Sequence, residues 1–393
     1  MRILYATGAS FNEPTAAGLR NLGLAAAWAR GGHDVVIASR DPKRSDASLP
    51  WYGEMPENVR IVPTGAEQNH SAILNQIEVL TRSVNPGLHK VIKDFDPEAI
   101  VLYQSFLPFL LSLRRSARRK GVPFLLDVTE WYDGHSLPLG PLGPHNLMNQ
   151  FSMRLLVPRV PAALTISRAL AVHVSRQGAR VLVVPPLFDQ SVLDSHIVAD
   201  QERRRRLRVA VTGSGISVGQ KDRLGLEAIA EVAERLDPTG DLLEIAVAGP
   251  TREVVETVLQ PSPPRSFTIH GPLSWAASLS LVADSDFTLM LRTPDVRRNV
   301  VGFPSKVSES LLLGTPILGN IIGDLDEYLV DGYNAAVVAQ PDASALQTTI
   351  EGVLHGNRVW DRDEIRRQAN LRFGIESHSE RLSEFMYALE RNG

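Results

Sequence analysis

The chain of 393 residues contains no cysteine, which excludes a disulfide framework, a thiolate metal site and a cysteine nucleophile. Long apolar runs are also missing: the most apolar stretch, residues 99–113, contains Gln104 and Pro108 and is shorter than the roughly 20 residues that a membrane span needs. Residues 3–6 are too few for the apolar core of a secretory signal peptide. We therefore expect no membrane-spanning helix and no signal peptide. The lack of cysteine suits a reducing, cytoplasmic location.

The charges are unevenly distributed, although the net charge is only −3. Residues 1–185 contain 20 Lys and Arg against 14 Asp and Glu, whereas residues 186–393 contain 21 against 30. This imbalance predicts an anionic partner for the first half of the chain. Ordinary variation between the surfaces of two lobes would give the same numbers.

Five cations end one predicted helix of the basic half, and they are Arg114, Arg115, Arg118, Arg119 and Lys120. Cations are favoured at a helix C-terminus, which is one explanation of the cluster. Docking on anionic lipid headgroups at the inner face of a membrane is the other. The chain has no basic motif interleaved with aromatic residues, so we do not expect a nucleic-acid partner.

Predicted strands and helices alternate along the whole chain. Residues 2–6 form a strand, residues 19–30 a helix and residues 35–38 the next strand, which is a βαβ unit of a parallel sheet. The alternation stops at Pro185 and Pro186 and restarts with a strand at residues 208–211. This predicts an α/β protein of two doubly wound, Rossmann-like lobes that face each other across a cleft.

The same pattern predicts the domain boundaries. The chain is too long for a single domain of roughly 100–200 residues. We expect an N-terminal Rossmann-like domain at residues 1–185 and a C-terminal one at 186–370. Residues 371–393 form a last helix that can return to the first lobe.

The strongest motif lies between Arg297 and Pro316. Gly302, Phe303, Pro304 and Ser305 form a loop that opens a predicted helix. Pro304 suits a helix start because it has no amide hydrogen to leave unpaired, and Ser305 can cap the helix. The backbone amides at such a start form a site for an anion.

Lys306 and Glu309 lie three residues apart on one face of this helix. The helix dipole disfavours a cation in the first turn unless an anion lies opposite it. A lysine that binds phosphate and a carboxylate that binds hydroxyl groups suit a sugar nucleotide. The same residues also fit a capping box from Ser305 to Ser308 or Glu309, with a solvated Lys306.

A second glycine-rich loop, with Gly213, Gly215 and Gly219, follows the strand at residues 208–211. Glycines after a strand let backbone amides approach a diphosphate. The loop also resembles a dinucleotide-binding fingerprint. However, the third glycine comes four residues after the second instead of three, so a nicotinamide-dependent dehydrogenase is weakly supported.

Two loops of the first half carry further candidates. Glu130 and His135 follow the predicted strand at residues 124–128, among aromatic residues that suit sugar binding. Packing of these aromatic residues in the core, with His135 on the surface, is the alternative. Gly8 follows the first strand, where it allows close approach to a ligand or simply a tight turn.

The 297–316 motif resembles the donor-binding motif of GT-B glycosyltransferases, in particular the retaining family 4. A variant with Phe-Pro-Ser-Lys before the glutamate is similar to that of members that build bacterial polysaccharides. Gly302, Phe303 and Glu309 match the family motif. The motif has a second glutamate earlier in the sequence, and in this chain that position is occupied by Val301. The resemblance extends to residues 314–318, 326–328 and 331–334.

This resemblance implies roles for individual residues. Glu309 would bind the donor ribose, and Asn299 or the backbone would replace the missing first glutamate at the donor sugar. Lys221 matches a lysine that binds the donor phosphates. The family also has an arginine that binds the donor phosphates, about five residues before this lysine. In this chain Ile216 occupies that position, and Arg292 is our candidate for the replacement. Pro304, Ser305 and Lys306 complete the donor-binding set.

The resemblance implies a retaining glycosyltransferase that moves a sugar from a nucleotide donor, a UDP-sugar, to a saccharide or lipid-linked acceptor. The catalytic candidates are Lys221, Arg292, Glu130 and His135, and neither a metal nor a cofactor is required. A sugar-nucleotide 2-epimerase and a catalytically silent GT-B subunit that partners an active enzyme are the alternatives.

Overall fold

The computed structural model describes residues 1–39, 49, 55–65, 86–105, 107–132, 134, 140–197, 205–213, 225–260, 262–356 and 358–391. The chain divides into two compact units. Unit 1 comprises Met1–Asp189, Val301–Phe303 and Phe373–Gly393, and unit 2 comprises Gln190–Val300 and Pro304–Arg372. The division after Asp189 lies four residues beyond the predicted boundary at 185, and the chain rejoins unit 1 at Phe373.

Unit 1 contains a parallel sheet in the order β3-β2-β1-β4-β5-β6-β7. Its strands are β1 Arg2–Ala6, β2 Asp34–Ser39, β3 Val59–Pro63, β4 Ala99–Tyr103, β5 Phe124–Val128, β6 Ala162–Thr165 and β7 Arg180–Val183. Its helices are α1 Ala16–Arg30, α2 Pro86–Phe95, α3 Leu107–Lys120, α4 Pro144–Phe151, α5 Arg168–Ser175 and, at the end of the chain, α14 Glu376–Glu390.

Unit 2 contains a second parallel sheet in the order β10-β9-β8-β11-β12-β13. Its strands are β8 Leu207–Thr212, β9 Leu243–Ala248, β10 Phe267–Gly271, β11 Phe287–Met290, β12 Ile317–Gly319 and β13 Ala335–Val337. Its helices are α6 Gln190–Asp194, α7 Leu226–Leu236, α8 Arg252–Val258, α9 Trp275–Ala283, α10 Arg297–Val301, α11 Ser305–Leu312, α12 Ala343–His355 and α13 Arg362–Phe373.

Both sheets are doubly wound, because in each the first strand lies between the second and the fourth. Every residue of β5 is buried, as are all residues of β1 except Arg2 and all residues of β9 except Glu244. These sequences are mostly apolar, as expected where helices cover both faces of a parallel sheet. In each unit the strand order reverses beside the first strand, between β1 and β4 and between β8 and β11. Ligands of doubly wound sheets bind at the carboxyl ends of the strands at this reversal.

The last helix packs within unit 1. Helix α14 lies against α1, and Arg30 at the end of α1 forms an ion pair with Glu376, 3.2 Å apart. The approach is close at Gly31, since a Cβ atom there would lie 2.0 Å from Oγ of Ser383. Because glycine has no side chain, Gly31 lets the C-terminal helix lie close to the end of the first helix of the chain.

A buried ion pair lies beneath the carboxyl end of β5. Arg20 of α1 and Asp127 of β5 are both buried, and Nη2 of Arg20 lies 2.6 Å from Oδ1 of Asp127. The hydroxyl of Tyr5 donates to Oδ2 of Asp127 at 2.5 Å and accepts from Nδ2 of Asn21 at 2.8 Å. Nη1 of Arg20 also donates to the carbonyl of Val184 at 3.0 Å. The network ties α1, β1, β5 and the end of β7 together.

Unit 1 should lose stability below neutral pH because His33, between α1 and β2, is fully buried beside the ring of Tyr387. Burial, assisted by the N-terminal ammonium, lowers the pKa of His33 from 6.5 to about 4. The unfolded chain therefore binds more protons than the folded chain between pH 6.5 and pH 4. The free energy of unfolding should fall by roughly 2–3 kcal/mol across this window.

Urea titrations between pH 4 and pH 7.5 measure this effect. His33→Leu should flatten the pH dependence, whereas the matched variant His355→Leu, at an exposed position of α12, should leave it unchanged. Equal slopes in wild type and His33→Leu would contradict the assignment.

Candidate functional site

The candidate site of unit 2 lies at the reversal of its sheet. Gly213 follows β8 directly, and Arg292 follows β11 with one residue between them, so both lie at the carboxyl ends of neighbouring strands. Gly213 donates its backbone N–H to the carbonyl of Ala248, at the end of β9. A Cβ atom on Gly249, whose φ is +115°, would lie 1.8 Å from the carbonyl oxygen of Gly213. Glycine at 249 therefore allows the backbones to meet at this edge.

Helix α11 begins without a side-chain cap. Pro304 occupies the N-cap position with extended backbone (φ −75°, ψ 110°), and no side chain there accepts a hydrogen bond from the first turn. Ser305 is the first helical residue, so the expectation that Ser305 caps the helix is wrong. The reason is that Pro304 itself takes the N-cap position. An uncapped first turn keeps amide donors that suit an anion.

Lys306 is held at the end of the central strand of unit 2. Its Nζ donates to the carbonyl oxygen of Thr212, the last residue of β8, at 2.5 Å. This contact places the ammonium group beside Gly213, where the glycine-rich loop begins. Lys306 is thus half-buried and bound, in contrast to the solvated lysine that a simple capping box would have.

Glu309 points away from the helix start toward α9. Its Oε1 accepts a hydrogen bond of 2.8 Å from Nε1 of Trp275, the first residue of α9. Burial raises the pKa of Glu309, while the hydrogen bond from Trp275 and the charge of Lys306 act in the opposite direction. The carboxylate is therefore oriented by a fixed indole group and electrostatically coupled to Lys306.

Arg292 is positioned through its backbone. Asn320, directly after β12, accepts the N–H of Arg292 at 2.9 Å and donates to its carbonyl oxygen at 3.0 Å. The neighbouring Gly319 fits tightly, since a Cβ atom there would lie 2.2 Å from the carbonyl oxygen of Met290. These contacts fix the strand end from which the Arg292 guanidinium extends.

The remaining motif residues are occupied in packing. Asn299 is buried and its Nδ2 donates to the carbonyl of Thr293 at 3.0 Å, which closes the loop before α10. Gly302 and Phe303 are buried and cluster with unit 1, where the ring of Phe303 lies 5.9 Å from that of Phe373. The structure thus shows Asn299 as a brace of its own loop, and its contact with a donor sugar stays a prediction.

The candidates of unit 1 follow β1 and β5, the two strands on either side of β4. Gly8 is exposed two residues after β1, and the half-buried Glu130 lies two residues after β5. Between them, Gln104 follows β4 with φ +64°, a conformation that is uncommon for a residue with a side chain. Its Nε2 donates to Oγ1 of Thr129 at 2.5 Å. Gln104 was not singled out from the sequence, which carries no signal for a strained backbone.

The aromatic residues after β5 are fixed by neighbouring side chains. The ring of Trp131 lies 4.3 Å from that of His173, and Nε1 of Trp131 donates to Oε1 of Gln150 at 3.3 Å. Gln150 also donates to the carbonyl of Tyr132 at 3.0 Å. Both aromatic side chains are half-buried, so they contribute to packing and still present part of their surface.

Three predicted site residues, Gly215, Lys221 and His135, lie outside the described residues, as does Ile216. Within the described part of the chain, no three His, Asp or Glu side chains come together as metal ligands. No helix among the described residues is long and apolar enough to cross a membrane.

Residues 15–186, less than half of the chain, match the family model of the glycosyl transferase 4-like domain. A comparison with curated proteins finds no match. Among solved structures, the chain is similar to sucrose-phosphate synthase from Thermosynechococcus elongatus, with a TM-score of 0.72, 13% identity and complete coverage of both chains. It is also similar to HepE from Anabaena in complex with UDP-glucose, with a TM-score of 0.65, 14% identity and coverage of 99% of this chain and 100% of HepE.

A putative UDP-N-acetylglucosamine 2-epimerase from Listeria monocytogenes is similar as well, with a TM-score of 0.60 and 11% identity over 100% of this chain and 97% of the other. At these identities the likeness shows the fold alone. The two doubly wound units and these structural neighbours confirm the predicted GT-B fold.

Proposed function

We propose that the chain is a glycosyltransferase that transfers a sugar from a UDP-sugar to a saccharide or lipid-linked acceptor, with retention of the anomeric configuration. The observation that carries this proposal is the arrangement on α11. Lys306 is bound at the end of β8, and Glu309, one turn further on, is oriented by Trp275. A cation and a carboxylate at this spacing suit the diphosphate and the ribose of one donor molecule.

The diphosphate would bind at the reversal of the unit 2 sheet. Lys306 lies beside Gly213, and the uncapped start of α11 and the guanidinium of Arg292, two residues beyond the neighbouring strand β11, would add positive charge there. Arginine can bind phosphate oxygens with two parallel hydrogen bonds, whereas lysine acts as a point charge. We include Lys221 and Gly215 of the adjoining loop in this set on the sequence pattern.

The reaction needs mainly charge stabilisation from the protein. The bond between the anomeric carbon and the diphosphate oxygen breaks while the acceptor hydroxyl oxygen bonds to that carbon from the same face. The hydroxyl proton passes to the leaving phosphate oxygen, which yields the nucleoside diphosphate and the glycoside. Fixed cations that face the growing charge on the diphosphate lower the barrier. Glu130 and His135 are our candidates for contacts with the donor sugar.

A nucleotide panel is the first test of this proposal. Thermal-shift and calorimetric titrations with UDP, GDP, ADP, dTDP, their sugars and NAD should give a shift with UDP and UDP-sugars. The UDP-glucose bound to HepE makes UDP-glucose the first sugar to try. The shift should be lost in Glu309→Ala and retained in Glu256→Ala, a carboxylate of similar helical setting on α8.

The outcomes separate the candidate functions. Binding of UDP-sugar with turnover only when an acceptor is added supports transfer, whereas conversion of the sugar without acceptor indicates an epimerase. If no nucleotide shifts the melting temperature, the proposal is overturned in favour of a silent subunit. The silent subunit is considered because Val301 stands where the family motif has its first glutamate. A shift with NAD alone would indicate a dehydrogenase.

A further inference from the structure

A row of apolar side chains is exposed on unit 1, on the helical segment at residues 140–159. The segment consists of α4 with a 3₁₀ turn before it, and a π-helical turn and a second 3₁₀ turn after it. Its outward apolar residues and their exposed fractions are Leu142 (84%), Leu147 (56%), Phe151 (47%) and Leu155 (44%). Four large apolar residues exposed along one short segment are more than the scattered single residues of an ordinary surface.

The opposite side of this segment is anchored. Met153 is fully buried, and its sulfur lies 3.2 Å from the hydroxyl of Ser105, directly beyond β4. The carbonyl of Met153 lies 2.6 Å from Nε2 of His173 on α5. Because Met153 holds the inner side of the segment against Ser105 and α5, the apolar row has a fixed position on the surface.

Cations flank the apolar row. Nη2 of Arg114 donates to the carbonyl of Arg159 at 3.1 Å, which joins α3 to the end of the apolar segment. On α3, Leu111, Arg115, Arg118 and Arg119 are exposed at helical spacing, and Arg154 and Arg159 are exposed on the segment itself. We call this surface, formed by the apolar row and these arginines, the α3–α4 face.

Acidic residues are almost absent from this part of the chain. Between Glu98 and Asp189 there are ten Lys and Arg but only three Asp and Glu, namely Asp127, Glu130 and Asp133. Asp127 is already paired with Arg20 in the core. At the end of α3, Lys120 pairs with Asp96 and is not counted in the face. The residues named for the α3–α4 face are apolar or positively charged.

We propose that the α3–α4 face docks on the surface of an anionic lipid bilayer. Leucine and phenylalanine side chains of an interfacial helix enter the boundary between headgroups and acyl chains, while arginines bind the lipid phosphates. A nucleic acid would match the arginines but would leave the apolar row without a partner. A protein partner would have to combine an apolar patch with a surplus of acidic groups, whereas an anionic bilayer supplies both chemistries by its nature.

Flotation of the full-length protein with lipid vesicles tests this proposal. The protein should float with phosphatidylcholine vesicles that contain 30% phosphatidylglycerol and remain in the soluble fraction with pure phosphatidylcholine. Replacing Arg115, Arg118 and Arg119 with Gln should lower the partition coefficient on the order of a hundredfold, at about 1 kcal/mol for each cation. Added salt should also lower the partition coefficient of the wild type, because it screens the arginines from the lipid phosphates.

The apolar row has its own variant and controls. Leu147→Gln with Phe151→Gln should lower partitioning about tenfold or more, because apolar area no longer enters the interface. Val359→Gln and Arg235→Gln, at exposed positions of unit 2, should bind vesicles like the wild type. Leu147, Phe151, Val359 and Arg235 are all exposed, so the melting temperatures of these variants should stay close to that of the wild type.

Several results would overturn the proposal. These are equal flotation with anionic and neutral vesicles, absence of flotation with either, and anionic binding that survives both sets of substitutions. Self-association that is lost in Leu147→Gln with Phe151→Gln, without flotation, would identify the face as a protein interface. The measurement reads binding rather than sugar transfer, so it stands or fails independently of the proposed function.

Discussion

Glu309→Ala should lower kcat/KM for sugar transfer by about 30- to 1,000-fold, which corresponds to roughly 2–4 kcal/mol of transition-state stabilisation. The carboxylate of Glu309 is oriented by Nε1 of Trp275 at 2.8 Å and lies near the charge of Lys306. A contact so fixed before the donor arrives needs no reorganisation on binding, so its removal should act at full strength.

The contribution of orientation can be separated from that of charge. Glu309→Gln keeps an acceptor for Trp275 but loses the negative charge, so it should retain donor binding better than Glu309→Ala. Trp275→Phe removes the indole donor and should weaken transfer by about fivefold, the value of one ordinary hydrogen bond. Steady-state kinetics and calorimetric donor affinity measure both effects, and wild-type kcat/KM in Glu309→Ala would contradict the assignment.

Lys306→Ala extends the same prediction to the diphosphate. The substitution removes the hydrogen bond from Nζ to the Thr212 carbonyl, and this should cost about 1 kcal/mol of unfolding free energy. Transfer should fall by roughly 2–4 kcal/mol in transition-state terms, which exceeds the structural loss. Chemical denaturation beside kinetics therefore distinguishes a structural lysine from one that binds the donor; equal losses in the two measurements would make Lys306 structural.

Some strands could be predicted from the sequence to the residue, such as β1 at 2–6 and β5 at 124–128, whereas the strand predicted at 208–211 falls one residue short of β8 at each end. Strand β5 is buried at every residue and β9 at every residue but Glu244, so both are mostly apolar in sequence. The edge strands β3 and β13 were not predicted. Strand β3 is only partly buried and β13 has three residues, so neither leaves a clear pattern.

Several helices of unit 2 were also missed, although some carried a readable signal. Asp342 caps α12 by accepting the amide of Ala345, and Thr251 and Ser274 cap α8 and α9 in the same way. Side chains of these types before a helix are the expected start signals. The α8 and α9 helices are short, with seven and nine residues, and short helices show little periodicity.

The candidate site was predictable only where it is local in sequence. Lys306 and Glu309 follow from the spacing on one helix, whereas their partners Thr212 and Trp275 lie 94 and 34 residues away in the chain. Asn320, which fixes the backbone of Arg292, is 28 residues away. Contacts of this kind depend on how the strands are ordered in the sheet, which a single sequence does not state.

Asp127 is a polar residue near a strand end that does not belong to the candidate site. It begins the polar segment at the carboxyl end of β5, yet the structure buries it completely against Arg20 and Tyr5. Two ions taken out of water are stable together only when each satisfies the other. The carboxylate of Asp127 therefore has a structural role in the core, where a substrate cannot contact it.

Asp127→Asn and Arg20→Met should each lower the free energy of unfolding by about 3–5 kcal/mol, since each leaves its partner charge buried and uncompensated. The double variant should lose less than the sum of the two, because no charge remains unpaired, and a double-mutant cycle in urea measures the difference. Lys90→Met removes an exposed ion pair with Asp94 and should cost less than about 1 kcal/mol. Strict additivity of Asp127→Asn and Arg20→Met would contradict the coupling. A coupled result would mean that Arg20 of α1 and Asp127 of β5 stabilise unit 1 as a pair, which fixes the carboxyl end of β5 against α1.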